Sequence, residues 1–193
     1  MGWLLFGEKM EILYKTKQAV AVYKPAGVPS QPDLTRDTDI MTMTSEYLKS
    51  IGENANLWLV HRLDRVVGGV MVFARSADSA AELSKVMASS DNASKKYLAL
   101  IEGEITDGVM EDFIFKDKLK SKAYIVDRER QGVKRCKLMA ETLGTVNSDG
   151  RVLSLLSIAL YTGRFHQIRA QLSHRKSPIV GDKKYGSRVF SVK

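Results

Sequence analysis

Asp64 stands between Arg62 and Arg65 in the stretch "LVHRLDRVVGGVMVFARS", residues 59–76, directly ahead of an apolar run. A carboxylate beside two guanidinium groups has its charged form favoured, so it suits a nucleophile or a base rather than a general acid. Gly68 and Gly69 would let another backbone or a sugar approach closely. The same residues also fit an ion-pair turn closing two strands, and this short motif alone does not decide between the two.

A second constellation is "YTGRFHQIRAQLSHRKSPIVGDKKYG", residues 161–186. Gly163 precedes an expected helix whose first turn carries Arg164, followed by His166, Gln167 and Arg169. A helix start with an arginine and free backbone donors suits a phosphate, and Arg164 is equally suited to pairing with Asp64. Lys176, Lys183, Lys184 and Arg188 extend a basic surface, which is either a phosphate track or a solvated face. His166 and His174 have no carboxylate or cysteine at motif spacing and read as structural. Third, Tyr97 opens the apolar run of "KKYLALIEG", where a ring is either core or a platform for a nucleobase.

These groups need elements to hold them. "EILYKTKQAVAVYK", residues 11–24, reads as two strands joined by a charged turn at Lys15–Gln18, ending at the proline cluster of "KPAGVPSQPD". Residues 37–51 have helical apolar spacing, with Gly52 as a left-handed cap. "LWLVH" reads as a buried strand and "GVMVFAR" as another, with Met71 and Phe73 on one face. A second helix is expected over residues 77–90, capped by Ser76, with Leu83, Val86 and Met87 on its apolar side. Strands follow at "KYLALIEGEI", "MEDFIF", "AYIVDR", "CKLMAETLG" and "VLSLLSIALY", then a helix over "RFHQIRAQLSH". The pattern is one α+β domain around a largely antiparallel sheet.

Lys and Arg number 30 against 22 Asp and Glu, a formal charge of +8 that favours nucleic acid as partner ahead of an anionic membrane. No apolar run approaches the roughly 20 residues of a membrane span, and the start is too short and weakly basic for a secretory signal, so a cytoplasmic protein is expected. The lone Cys136 and the scattered His61, His166 and His174 predict neither disulfide nor metal site.

In order and spacing these blocks resemble the RluA-type pseudouridine synthases. "YKPAGVPSQP" is similar to that family's "NKPAGLxVxP", "VHRLDRVVGGVMVFARS" to "xHRLDRxTSGLLLFAKx", "KKYLALIEGEI" to "KxYxALVxGxx", and the 160–186 block to "xTGRTHQIRVHLxxxGxPIxGDxxYG". The resemblance implies a bent, mostly antiparallel sheet with flanking helices and a central cleft. It implies Asp64 as catalytic aspartate, Tyr97 as the ring packed on the target base and Arg164 as basic partner of the aspartate. Arg62 would fill the gap left by the flipped uridine, and RNA contacts are expected from His61, Arg62, Arg65, Arg169, Lys176 and Lys183.

The implied reaction isomerises uridine in ribosomal or transfer RNA: the C1′–N1 bond breaks and C1′ joins C5, with no cofactor or metal. A monomer is expected, as a single catalytic domain over residues 1–193 without a preceding S4-like module. Val67-Gly68-Gly69 replaces the family's Thr-Ser-Gly and removes two hydroxyls from the catalytic loop, Arg169-Ala170-Gln171 replaces "RVH", and "RKSP" displaces a glycine. A catalytically degraded RNA-binding or ribosome-assembly protein on the same scaffold is the alternative.

Overall fold

Alternation of apolar and polar residues sets the strands of the computed structural model, which describes residues 3–5, 8–88, 93–148 and 150–189. The chain divides into two compact units, Met1–Met87 and Ala88–Lys193.

In the first unit β1 (Trp3–Leu5), β2 (Glu8–Lys15), β3 (Ala19–Lys24), β4 (Trp58–Leu59) and β5 (Gly69–Ala74) form an antiparallel sheet in the order β1-β2-β3-β5-β4. Val20, Val22, Met71 and Phe73 are among its buried residues, and Ile40 and Met43 of α1 (Ile40–Ser50) join them in one core. Asp39 caps α1 by accepting the Thr42 N–H, and Gly52 adopts φ +74° beyond its end, as the spacing predicts.

Two expectations for this unit change. "LWLVH" is not a buried strand: only Trp58 and Leu59 pair, half-buried, because β4 is the rim of the sheet. The second helix, α2, covers Ala77–Ala88, with Ser76 Oγ accepting the Ser79 N–H; residues 89 and 90 lie outside the described residues. Leu83 and Met87 are half-buried while Val86 is exposed, and Ser79 is the buried residue of this helix.

In the second unit β6 (Lys95–Glu102), β7 (Gly108–Asp117), β8 (Lys122–Val126), β9 (Val133–Ser148) and β10 (Arg151–Leu160) form an antiparallel sheet in the order β6-β10-β9-β7-β8. Ala99, Ile101, Leu138, Leu156, Ile158 and Leu172 make one core, and Ile114, Ala123, Cys136, Ala170 and Tyr185 a second. Burial and the charge of Asp112 push the Cys136 thiol up to about 11. The last α-helix, α3, runs Gln167–His174, three residues later than its sequence pattern. The expected α+β class and antiparallel pairing hold, with the strands in two five-stranded sheets where the pattern suggested a single one, and no described helix is long and apolar enough to cross a membrane.

Candidate active site

Asp64 lies half-buried on the loop between β4 and β5, and both its neighbours in sequence are pinned. Before it, Leu63 packs on the first core, and Ser30 Oγ accepts the Leu63 N–H at 3.2 Å and donates to the Leu63 carbonyl at 2.7 Å. After it, the Arg65 carbonyl accepts the Gly27 N–H at 2.7 Å and the Lys24 ammonium at 3.2 Å. The Asp64 carbonyl accepts the Val67 N–H at 3.0 Å, closing the turn. "KPAGVPS" is thus the cradle of the aspartate loop.

Lys24 is fully buried, which is rare for an ammonium and requires partners; it also donates to the carbonyls of Pro25 at 2.8 Å and Val28 at 2.6 Å. Neither Lys24 nor Ser30 was singled out by the sequence pattern, because nothing local announces that a lysine is buried. The only available sign was its place before Pro25.

Arg65 behaves otherwise than its adjacency to Asp64 implied. Its Nε donates to the Gly27 carbonyl at 2.8 Å, and its other nitrogens reach Thr35 Oγ1 and Asp37 Oδ2, the latter at 2.5 Å. The hydrogen bond from Arg65 holds the Asp37 carboxyl below the usual carboxylate range. The guanidinium therefore braces the loop from within its own unit. Arg62 is exposed, and His61 uses Nε2 to accept the Val72 N–H at 3.0 Å, tying the loop to β5.

The replacement of two hydroxyl residues by Val67 and Gly68 has a steric counterpart. A Cβ on Gly68 would lie 3.1 Å from the Tyr23 hydroxyl and 3.3 Å from the Ala26 nitrogen. The Tyr23 phenol occupies the space that a side chain at 68 would fill, and Tyr23 itself stands where the resembling motif has asparagine.

In the second unit, Tyr97 sits near the start of β6 opposite Ile158, half-buried against the core of Ala99 and Ile101. Arg164 is exposed and precedes α3 instead of opening its first turn, a correction to the sequence pattern. The Gln167 side chain explains the shift. Its Oε1 accepts the Arg164 N–H at 3.0 Å and the Thr162 hydroxyl at 2.8 Å, while its Nε2 donates to the Lys137 carbonyl and to Gln171 Oε1, both at 3.1 Å. All four hydrogen-bonding positions of that buried amide are filled. The Arg164 N–H is accordingly not a free donor for phosphate, and its Nε donates to the Arg135 carbonyl at 3.1 Å.

His166 adopts φ +52° at the start of α3, stacks on Phe165 and bonds the Tyr185 hydroxyl at 2.9 Å, the structural part expected of it. Arg169 makes two hydrogen bonds with Asp182, at 2.6 and 2.9 Å, and both side chains are nearly buried. Lys176 and Lys183 are exposed. The structure thus gathers His61, Arg62, Asp64 and Arg65 on one loop of the first unit and sets Tyr97, Arg164, Arg169, Lys176 and Lys183 in the second. Among the described residues no group of three or more His, Cys, Asp or Glu could hold a metal ion.

Residues 18–174 match the family described as RNA pseudouridylate synthase. The ribosomal large subunit pseudouridine synthase D of Borreliella burgdorferi is 28% identical over 190 residues, which cover 94% of this chain and 56% of that protein. The tRNA pseudouridine synthase C of Yersinia pestis is 31% identical over 185 residues, covering 92% of this chain and 70% of its own length. Among solved structures, the human RNA pseudouridylate synthase domain containing 4 superposes with a TM-score of 0.72 at 27% identity, over 90% of this chain and 68% of that one. The chain spans little more than half of the first relative, yet the family match reaches from β3 to the end of α3 and encloses Asp64, Tyr97 and Arg164. This chain belongs to the RNA pseudouridylate synthase family.

Proposed function

We propose that this chain isomerises one or more uridines of ribosomal or transfer RNA to pseudouridine, in the cytoplasm and as a single copy. The observation that carries the reading is the bracing of Asp64 on both sides, by Ser30 at Leu63 and by Lys24 and Gly27 at Arg65. A reacting carboxylate needs such rigidity, since a displacement of about 1 Å costs on the order of a hundredfold in rate.

In the proposed reaction Asp64 acts beside the ribose, attacking C1′ or removing a ribose proton. The C1′–N1 bond breaks, the uracil turns in place and C1′ bonds to C5. The proton leaving C5 passes to a base, either Tyr97 or a water it positions, and N1 gains a proton, so the atoms balance without metal or cofactor. Arg164 supplies the catalytic cation. Expelling the uridine from its stack costs a few kcal/mol, which contacts to the RNA backbone offset. Of the basic residues expected at the RNA, the exposed Arg62, Lys176 and Lys183 keep that role, whereas Arg65 and Arg169 hold the protein together.

Incubation with RNA tritiated at C5 of uridine tests the reading. Tritium release with the base retained is the expected result. Free uracil would identify a hydrolase, and neither product would leave a binding protein on this scaffold.

A further inference from the structure

The two units divide the charge of the chain unevenly. Residues 1–87 hold 10 Lys and Arg against 10 Asp and Glu, so the unit bearing Asp64 is formally neutral. Residues 88–193 hold 20 against 12, the whole excess of +8. Within them, residues 116–137, from the end of β7 through β8 into β9, carry 9 basic and 3 acidic residues. This stretch is separate in sequence from the basic tail around Lys176 and Lys183.

Aromatic rings interleave with those cations. The register pairs Phe113 with Arg135 and Phe115 with Tyr124, so these side chains share the face opposite the buried Ile114, Ala123 and Cys136. The Arg135 guanidinium lies 5.5 Å from the Phe113 ring, Arg130 lies 5.7 Å from Phe115, and the Lys122 ammonium lies 5.5 Å from Tyr124. Phe113 and Phe115 are half-buried and Tyr124 is exposed. Three carboxylates belong to this side: Asp117, opposite Lys122 and accepting the Lys120 N–H, and Glu129 and Glu111, at 3.9 Å from Arg135 and 3.5 Å from Lys137 in exposed, weak pairs.

We propose that this face of β7, β8 and β9 docks a single-stranded stretch of RNA flanking the target uridine. Phosphates run along Lys118, Lys120 and Arg128 at the ends of β8, and bases stack against the partly exposed rings and their cation partners, a combination that holds single strands with little sequence preference. That the strand belongs to a substrate rests on the function proposed above; the surface itself rests on the charge and the register.

The test titrates the full chain with a fluorescent single-stranded oligouridine and with a blunt RNA duplex across about 50 to 200 mM salt. For a strand that contacts both lysines, K118Q/K120Q lowers the slope of log affinity against log salt by about 1.4, at roughly 0.7 per phosphate. Y124S weakens the single strand about tenfold and leaves the duplex unchanged. K17Q/K49Q, in the neutral unit, keeps the wild-type slope. An unchanged slope in K118Q/K120Q, an unaltered affinity in Y124S, or preference for anionic lipid vesicles over RNA would overturn the proposal. Tritium release on the same wild-type preparation separates the two readings, since its absence refutes the isomerase and leaves the binding slopes to stand or fall alone.

Discussion

The Lys24 ammonium donates to the carbonyl of Arg65 at 3.2 Å, joining the first proline-rich segment to the residue that follows Asp64. Lys24→Met keeps most of the buried stem but removes the donor from the carbonyls of Pro25 and Val28, at about 1 to 3 kcal/mol for each group left unsatisfied. Its thermal unfolding midpoint should fall, and turnover should fall while RNA affinity is kept. A variant with wild-type stability and turnover would show that the loop holds itself.

Gly68 and Tyr23 should prove energetically coupled. Gly68→Ala sets a methyl group 3.1 Å from the Tyr23 hydroxyl and 3.3 Å from backbone, so kcat should drop. Tyr23→Phe in the same chain removes the hydroxyl and should recover part of the loss, with a coupling of roughly 1 kcal/mol. Kinetics of the four proteins measure it, and strict additivity would dismiss the contact.

Asp64→Asn should abolish tritium release and leave RNA affinity within about tenfold, or about 1.4 kcal/mol, because the amide keeps the shape and loses the anion. A folded variant that no longer binds RNA would make Asp64 a binding residue instead.

The Glu102 carboxylate accepts the Ser187 hydroxyl at 2.5 Å and the N–H groups of Arg188 at 2.7 Å and Val189 at 2.9 Å. Burial raises its pKa, but these three donors and the positive charge of Arg151 together outweigh burial and hold it below the ordinary 4.5. A depressed carboxyl contributes stability above its unfolded value and loses it as pH falls through the folded one. Glu102→Gln should therefore be less stable than wild type at neutral pH, with the gap closing in acid below about 4.5. Unfolding midpoints of both proteins across that range give the answer, and a gap independent of pH would exclude the charge as its source.

Strands and helices were legible in the sequence wherever one apolar face meets a core, as Met71 and Phe73 show in β5 and Ala99 and Ile101 in β6. Trp58–Leu59 reads as a buried strand because composition does not distinguish a rim strand from a central one. α3 begins later than its apolar pattern because the side chain that organises its start, Gln167, acts backwards along the chain on Thr162 and Arg164. At the site, residue types could nominate Asp64, Tyr97 and Arg164, and the family match encloses all three. They could not reveal that Arg65 turns to Asp37 or that Lys24 holds the loop, because partners about 30 to 40 residues apart meet only through tertiary folding.

β8 ends its sheet, and only part of its outer edge is closed within the unit, where the Tyr185 hydroxyl accepts the Ala123 N–H at 2.8 Å. Lys118, Lys120 and Lys122 crowd the hairpin at its beginning, and Arg128 and Arg130 follow its end. Recruiting a like-charged copy would force these cations together, so the same residues that invite a polyanion guard the protein against polymerising strand upon strand.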